Sequence, residues 1–152
     1  MRTTPTLPKN RVVVQYAVPR RGVPGAAALR AWAGGAGAFP VTLRIVGARE
    51  GRRLNQEFRK RNYATNVLSF PYGCARGMVQ GDIILCAPVI AREALAQGKT
   101  LDAHFAHLTV HGLLHLQGHD HAGRREAARM EALEKRLLAK LGYPDPYASA
   151  PG

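Results

Sequence analysis

The chain has 152 residues, 46% of them hydrophobic, which is enough for one domain that buries its own core without disulfides. Its 22 Lys and Arg outnumber 10 Asp and Glu, a net charge of +12 that draws the surface toward phosphate backbones or anionic lipid. Two cysteines, Cys74 and Cys86, without CxxC spacing exclude a disulfide framework and point to reduced thiols in the cytoplasm. The run VVVQYAV (12–18) is too short and too interrupted for a signal peptide or a membrane span.

MRTTPTLPKN (1–10) reads as a loose polar tail, and RVVVQYAV (11–18) as a strand. Pro24 opens a helix over AAALRAWAGGA (26–36), which ends in glycines. PVTLRIVG (40–47) alternates as a second strand. REGRRLNQEFR (49–59) has helical spacing through Leu54 and Phe58. NVLSFPY (66–72) predicts a third strand stopped by Pro71. A fourth lies within 77–88, around Asp82–Cys86.

Three helices follow. The first, 89–98, is closed by Gly98; the second spans 101–118, with Asp102 near its start and Gly118 at its end. The third, 122–142, has Met130, Leu133, Leu137 and Leu141 on one face, and YPDPYASAPG (143–152) is a C-terminal tail. A β-α-β-α-β opening followed by helices predicts an α+β fold. It would be a single domain, 11–142, with a mixed four-stranded sheet packed by helices.

All six histidines fall between His104 and His121. On a helix, His104, His111 and His115 lie within about 40° of one another. His111 and His115, four apart, form a natural metal clamp. Gly118 lets the chain turn back, so that His121 can complete the set as HxxxHxxGxxH (111–121). That is the spacing of the metzincin zinc motif. Three neutral imidazoles leave a fourth position open, and they favour zinc among the transition metals.

Gly112 stands where a metalloprotease has its general-base glutamate, which argues against peptide hydrolysis. Zinc would still lower the pKa of bound water to about 7. Asp120 is placed either to hold a ligand histidine in its tautomer or to cap the next helix. His119 is a wall residue, and His104 and His107 are core or supporting groups. Arg49, Arg52, Arg53, Arg59, Lys60 and Arg61 make a basic segment ahead of NVLSFP, where an arginine can clamp a phosphate through its planar fork.

LNQEFRKRNYATNVLSFPY (54–72), QGDIILC (80–86), AHFAHLTVHGLLHLQGHDH (103–121) and LGYPDPY (141–147) together resemble the YbeY family of bacterial rRNA maturation factors. The resemblance implies a small α/β core with a zincin-like metal helix. It also implies a metal-dependent, single-strand-specific endoribonuclease acting in 16S rRNA processing and ribosome quality control. It makes His111, His115 and His121 the ligands of one zinc ion and Arg59 the functional arginine. His119 stands where the family often has tyrosine.

The expected site is then catalytic Arg59 and His111, with Arg52, Arg53, Lys60 and Arg61 joining Arg59 in RNA binding. The expected partners are single-stranded RNA and the small ribosomal subunit with its proteins, and no membrane. The competing expectation is an rRNA-binding assembly factor with a structural metal.

Overall fold

The computed structural model describes residues 12–36, 40–75, 78–119 and 123–148. In chain order the elements are β1 (Val12–Tyr16), α1 (Ala26–Ala36), β2 (Val41–Val46), α2 (Ala48–Arg59) and β3 (Val67–Ala75). They continue with β4 (Met78–Cys86), α3 (Ala87–Gln97), α4 (Leu101–Leu116) and α5 (Arg124–Lys140). The expected α+β domain with a mixed four-stranded sheet is what forms.

The sheet order is β1-β2-β4-β3. β1, β2 and β4 run parallel, and β3 lies antiparallel on the edge beside β4. Alternation along the strands sends Val41, Leu43, Ile45, Ile83 and Leu85 to one face. There they meet Leu29, Trp32, Phe105, Val110 and Leu113 from α1 and α4. The opposite face puts Val46, Leu68, Ile84 and Cys86 under Leu54 of α2.

The third strand does not stop at Pro71. It continues to Ala75 across a register shift between Pro71 and Gly73. An edge strand tolerates the missing proline N–H, and the irregularity absorbs it. β4 is longer than the apolar run Asp82–Cys86 because it pairs with this extension.

α4 is buried on nearly every side, as its apolar sequence requires. The Thr100 side chain caps it by accepting from Ala103 N at 3.1 Å. At its other end Gly118 takes φ 98°, and His119 N donates back to Leu114 O at 3.0 Å. The left-handed exit expected at Gly118 is therefore present. Gln117 pins this end to β4: its Oε1 accepts from Val79 N at 3.0 Å and its Nε2 donates to Val79 O at 2.7 Å. This end of α4 is thus fixed to the sheet.

α5 differs from expectation. Met130 and Leu138 are fully buried, and the residue between them on that stripe is Glu134. Leu133, Leu137 and Leu141 pack at the margin, partly buried. The inner stripe is rotated by about one residue, because a buried carboxylate on it answers the histidines of α4.

A candidate metal and phosphate site along helix α4

His104, His107, His111 and His115 follow one another up α4 at helical spacing. Neighbouring ring centroids are 6.1, 6.0 and 6.5 Å apart, and the His111 and His115 rings are nearly parallel, at 3°. His104 and His107 are both buried. His104 Nε2 lies 2.9 Å from Glu93 Oε1, and burial pushes its pKa down against the pull of that carboxylate.

His107 Nε2 lies 2.7 Å from Glu134 Oε2, and His111 Nδ1 lies 2.9 Å from Glu134 Oε1. The Tyr147 hydroxyl donates to Glu134 Oε2 at 2.7 Å. Glu134 has no solvent exposure. Burial alone would raise its pKa, but hydrogen bonds from His107, His111 and Tyr147 outweigh it and hold the pKa at about 2. The ionised carboxylate can only accept, so it favours an N–H on His111 Nδ1 as its donor.

His107, His111 and Glu134 could hold a metal ion, since one ligand atom from each lies within 4.8 Å of the others. Imidazole and carboxylate donors suit zinc and its transition-metal neighbours. The trio expected from spacing, His111, His115 and His121, cannot be compared atom by atom: His121 and Asp120 lie outside the described residues.

His111 and His115 line a cleft of about 360 Å³, and Arg59, Arg61, Tyr63 and Asn66 line it with them. Arg59 Nη2 donates to Ser69 O at 3.4 Å, and Ser69 Oγ donates to Gly112 O at 3.0 Å. One chain of bonds thus runs from the arginine through β3 to the metal helix. Asn55, on the buried side of α2, donates to Tyr63 O at 2.7 Å and holds the loop that carries Arg61 and Tyr63.

The rest of the basic segment points elsewhere. Lys60 is the left-handed C-cap of α2, φ 59°, and its ammonium donates to Glu57 O at 3.3 Å. Arg52 and Arg53, with Arg49, line a separate recess of about 410 Å³. There the Arg52 Nε donates to Asn62 Oδ1 at 2.8 Å. Arg59 and Arg61 join the histidines; Arg52, Arg53 and Lys60 do not.

Gly112 faces the sheet. A Cβ built on it would sit 3.0 Å from Ile83 Cγ2 and 3.1 Å from Val67 Cγ2. A side chain at that position would have to displace these residues before it could serve as a general base in the cleft. Sequence reasoning misses Glu134 and Tyr147. The one sequence signal for Glu134 is its place midway between Met130 and Leu138 on an apolar stripe.

Histidines able to hold a metal, beside arginines able to hold a phosphate, define a metal-site hydrolase of the phosphodiester-cleaving class. Residues 28–142 match the family model described as Endoribonuclease YbeY. The Endoribonuclease YbeY of Stenotrophomonas maltophilia (strain R551-3) is 48% identical over 149 residues, covering 90% of this chain and 92% of that protein. That of Aromatoleum aromaticum is 57% identical over 127 residues, 82% of each. The chain belongs to the YbeY endoribonuclease family and is an RNA-cleaving hydrolase. The solution structure of TM1509 from Thermotoga maritima shares the fold, with a TM-score of 0.50 at 19% identity over 91% of this chain and 99% of that one. Among the described residues no helix is long and apolar enough to cross a membrane.

Proposed function

We propose that the protein is a zinc-dependent endoribonuclease that cuts single-stranded RNA in the cytoplasm, in the maturation of 16S rRNA at its 3′ end. The reading rests on one observation: His111, His115, Arg59 and Arg61 line the same cleft. His111 and His115, with His121 from the turn after Gly118, would hold one zinc ion. When bound, zinc would supply Lewis acidity and a water of lowered pKa.

The chain's own residues do the rest. Arg59 and Arg61 grip the phosphate and oppose the negative charge that grows on phosphorus. The Ser69 carbonyl keeps the Arg59 guanidinium aimed before substrate arrives. Glu134 holds the His111 proton on Nδ1, so Nε2 faces its ligand without a change of tautomer. The +12 charge supports rRNA and the small ribosomal subunit as partners.

The test is cleavage of a labelled single-stranded RNA by the zinc-loaded protein, with His115→Ala and Arg59→Glu shown folded by circular dichroism. The wild type cuts and both variants lose at least about a hundredfold. Equal cutting by all three would expose a contaminant. Binding without cutting by all three would make the protein an assembly factor with a structural metal.

A further inference from the structure

A second chamber, of about 330 Å³, lies on the other side of His111 and shares Asn66, Val67 and His111 with the cleft. Its polar lining includes Asn66, Glu93, Lys99 and Tyr147. Asn66 Nδ2 donates to Glu93 Oε1 at 3.0 Å and to Oε2 at 3.3 Å. That bond uses the Asn66 amide N–H₂ and leaves its Oδ1 as an acceptor. Oε1 also faces His104, while Asn66 is the one hydrogen-bond partner of Oε2 among the described residues. Lys99 Nζ donates to Pro146 O at 2.8 Å, and two further N–H groups remain on the ammonium. Lys99 and Glu93 line the same space, so a cation and a carboxylate are both available to a ligand in it.

We propose that this chamber takes the base of a nucleotide next to the scissile phosphate and selects guanine. The inference rests on the ribonuclease reading above and adds a base preference to it. Guanine's pairing edge carries two adjacent N–H donors and one carbonyl oxygen. Glu93 Oε2 and Asn66 Oδ1 supply the acceptors; Lys99 supplies the donor for O6. Adenine would set a ring-nitrogen lone pair against the carboxylate. Uracil offers one N–H between two carbonyls, and cytosine offers a single amino group. The Tyr147 ring, packed edge-on against His107 at 5.3 Å and still 42% exposed, provides a wall on which a base can stack. A good two-point contact to a base edge is worth about tenfold or more against the wrong base.

The experiment is end-sequencing of a randomised single-stranded RNA pool cut by the zinc-loaded protein, by Glu93→Gln and by Lys99→Met, with His115→Ala as background. Guanine should be enriched about tenfold at one position within a nucleotide of the cut, and each variant should flatten that preference. Glutamine keeps the shape but turns an N–H₂ toward the guanine donors. A wild-type measurement guards against variants that do not fold: inosine at that position, which lacks the 2-amino group, should be cut several-fold more slowly than guanosine. Uniform base frequencies in the wild type overturn the inference while leaving the ribonuclease intact, as does guanine enrichment that survives in both folded variants. Equal cutting of inosine and guanosine does the same. No cutting above the His115→Ala background overturns the ribonuclease reading and this inference together.

Discussion

Glu134 Oε1 and His111 Nδ1 lie 2.9 Å apart, the carboxylate on α5 and the imidazole on α4, with no solvent at the acid. The Tyr147 hydroxyl closes the other side of the same carboxylate at 2.7 Å. Partners of this kind set ring orientation and basicity, and their loss commonly lowers metal affinity about 10–100-fold. Glu134→Gln and Tyr147→Phe should each weaken zinc binding by about tenfold or more, measured by competition with a chromophoric chelator. Glu134→Ala should also lose about 3–5 kcal/mol of stability, because it removes the buried acceptor shared by His107, His111 and the Tyr147 hydroxyl. Unchanged zinc affinity in both Glu134→Gln and Tyr147→Phe would remove the link from α5 to the metal.

Gly112 sits where α4 lies closest to the sheet, and a methyl group there would have to displace Ile83 and Val67, at 3.0 and 3.1 Å. Alanine gains about 1 kcal/mol of helix propensity over glycine, while overpacking costs about 1–3 kcal/mol. Gly112→Ala should therefore be destabilised by up to about 2 kcal/mol, read from urea unfolding. Gly112→Glu, which rebuilds the metalloprotease sequence, should not fold and should acquire no peptidase activity. A folded, stable Gly112→Glu protein would show that this packing is loose.

The histidine helix is legible in the sequence because two independent patterns coincide on it: apolar residues all round and imidazoles at three- and four-residue spacing. Gly118 is legible for its left-handed turn. Glu134 is not, because Glu131, Glu134 and Lys135 together look like the charged outer face of a helix. Only the position of the histidines in space makes one of those acids an inner residue. Tyr147 is hidden in a segment whose prolines mark a tail. The six cations of 49–61 read as one patch, yet Arg59 and Arg61 line the cleft, Arg49, Arg52 and Arg53 line a second recess, and Lys60 lines neither. Strand β3 outruns Pro71 because its edge position, a property of the whole sheet, relaxes a rule that holds for central strands.

Arg49, Arg52 and Arg53 surround a recess apart from the histidines, and Arg52 and Arg59 sit seven residues apart on α2, about 10 Å along its axis. A single strand held at Arg59 can lay a neighbouring phosphate there. Charge reversal at Arg52 should weaken RNA binding without changing the cut site. It should lower the slope of log K against log salt by about 0.7 for each phosphate the protein no longer neutralises. Salt titration of a fluorescent single-stranded RNA measures it. An unchanged slope in the double variant Arg49→Glu, Arg52→Glu would make the recess an ordinary solvated face.

Glu50 in the first turn of α2 joins Arg44 of β2 at 2.7 and 3.1 Å, and Arg44 reaches on to Gln15 of β1 at 3.2 Å. The Arg44 hydrogen bond is the main reason the Glu50 carboxyl sits below its ordinary value; burial opposes it. A carboxylate with a lowered folded pKa stabilises the protein fully above its unfolded value, about 4.3, and loses that contribution as pH falls through the folded value. Both groups are partly exposed, with about a quarter to a third of each side chain open to water, so the pair is worth less than about 1 kcal/mol. Glu50→Gln should therefore melt about 2–4 °C below the wild type at pH 7 at most. The two melting curves should converge as pH falls through the lowered folded value of Glu50, where the carboxylate is protonated in both folded and unfolded states. A difference that persists into acid would assign the effect of Glu50 to its packing and not to its charge.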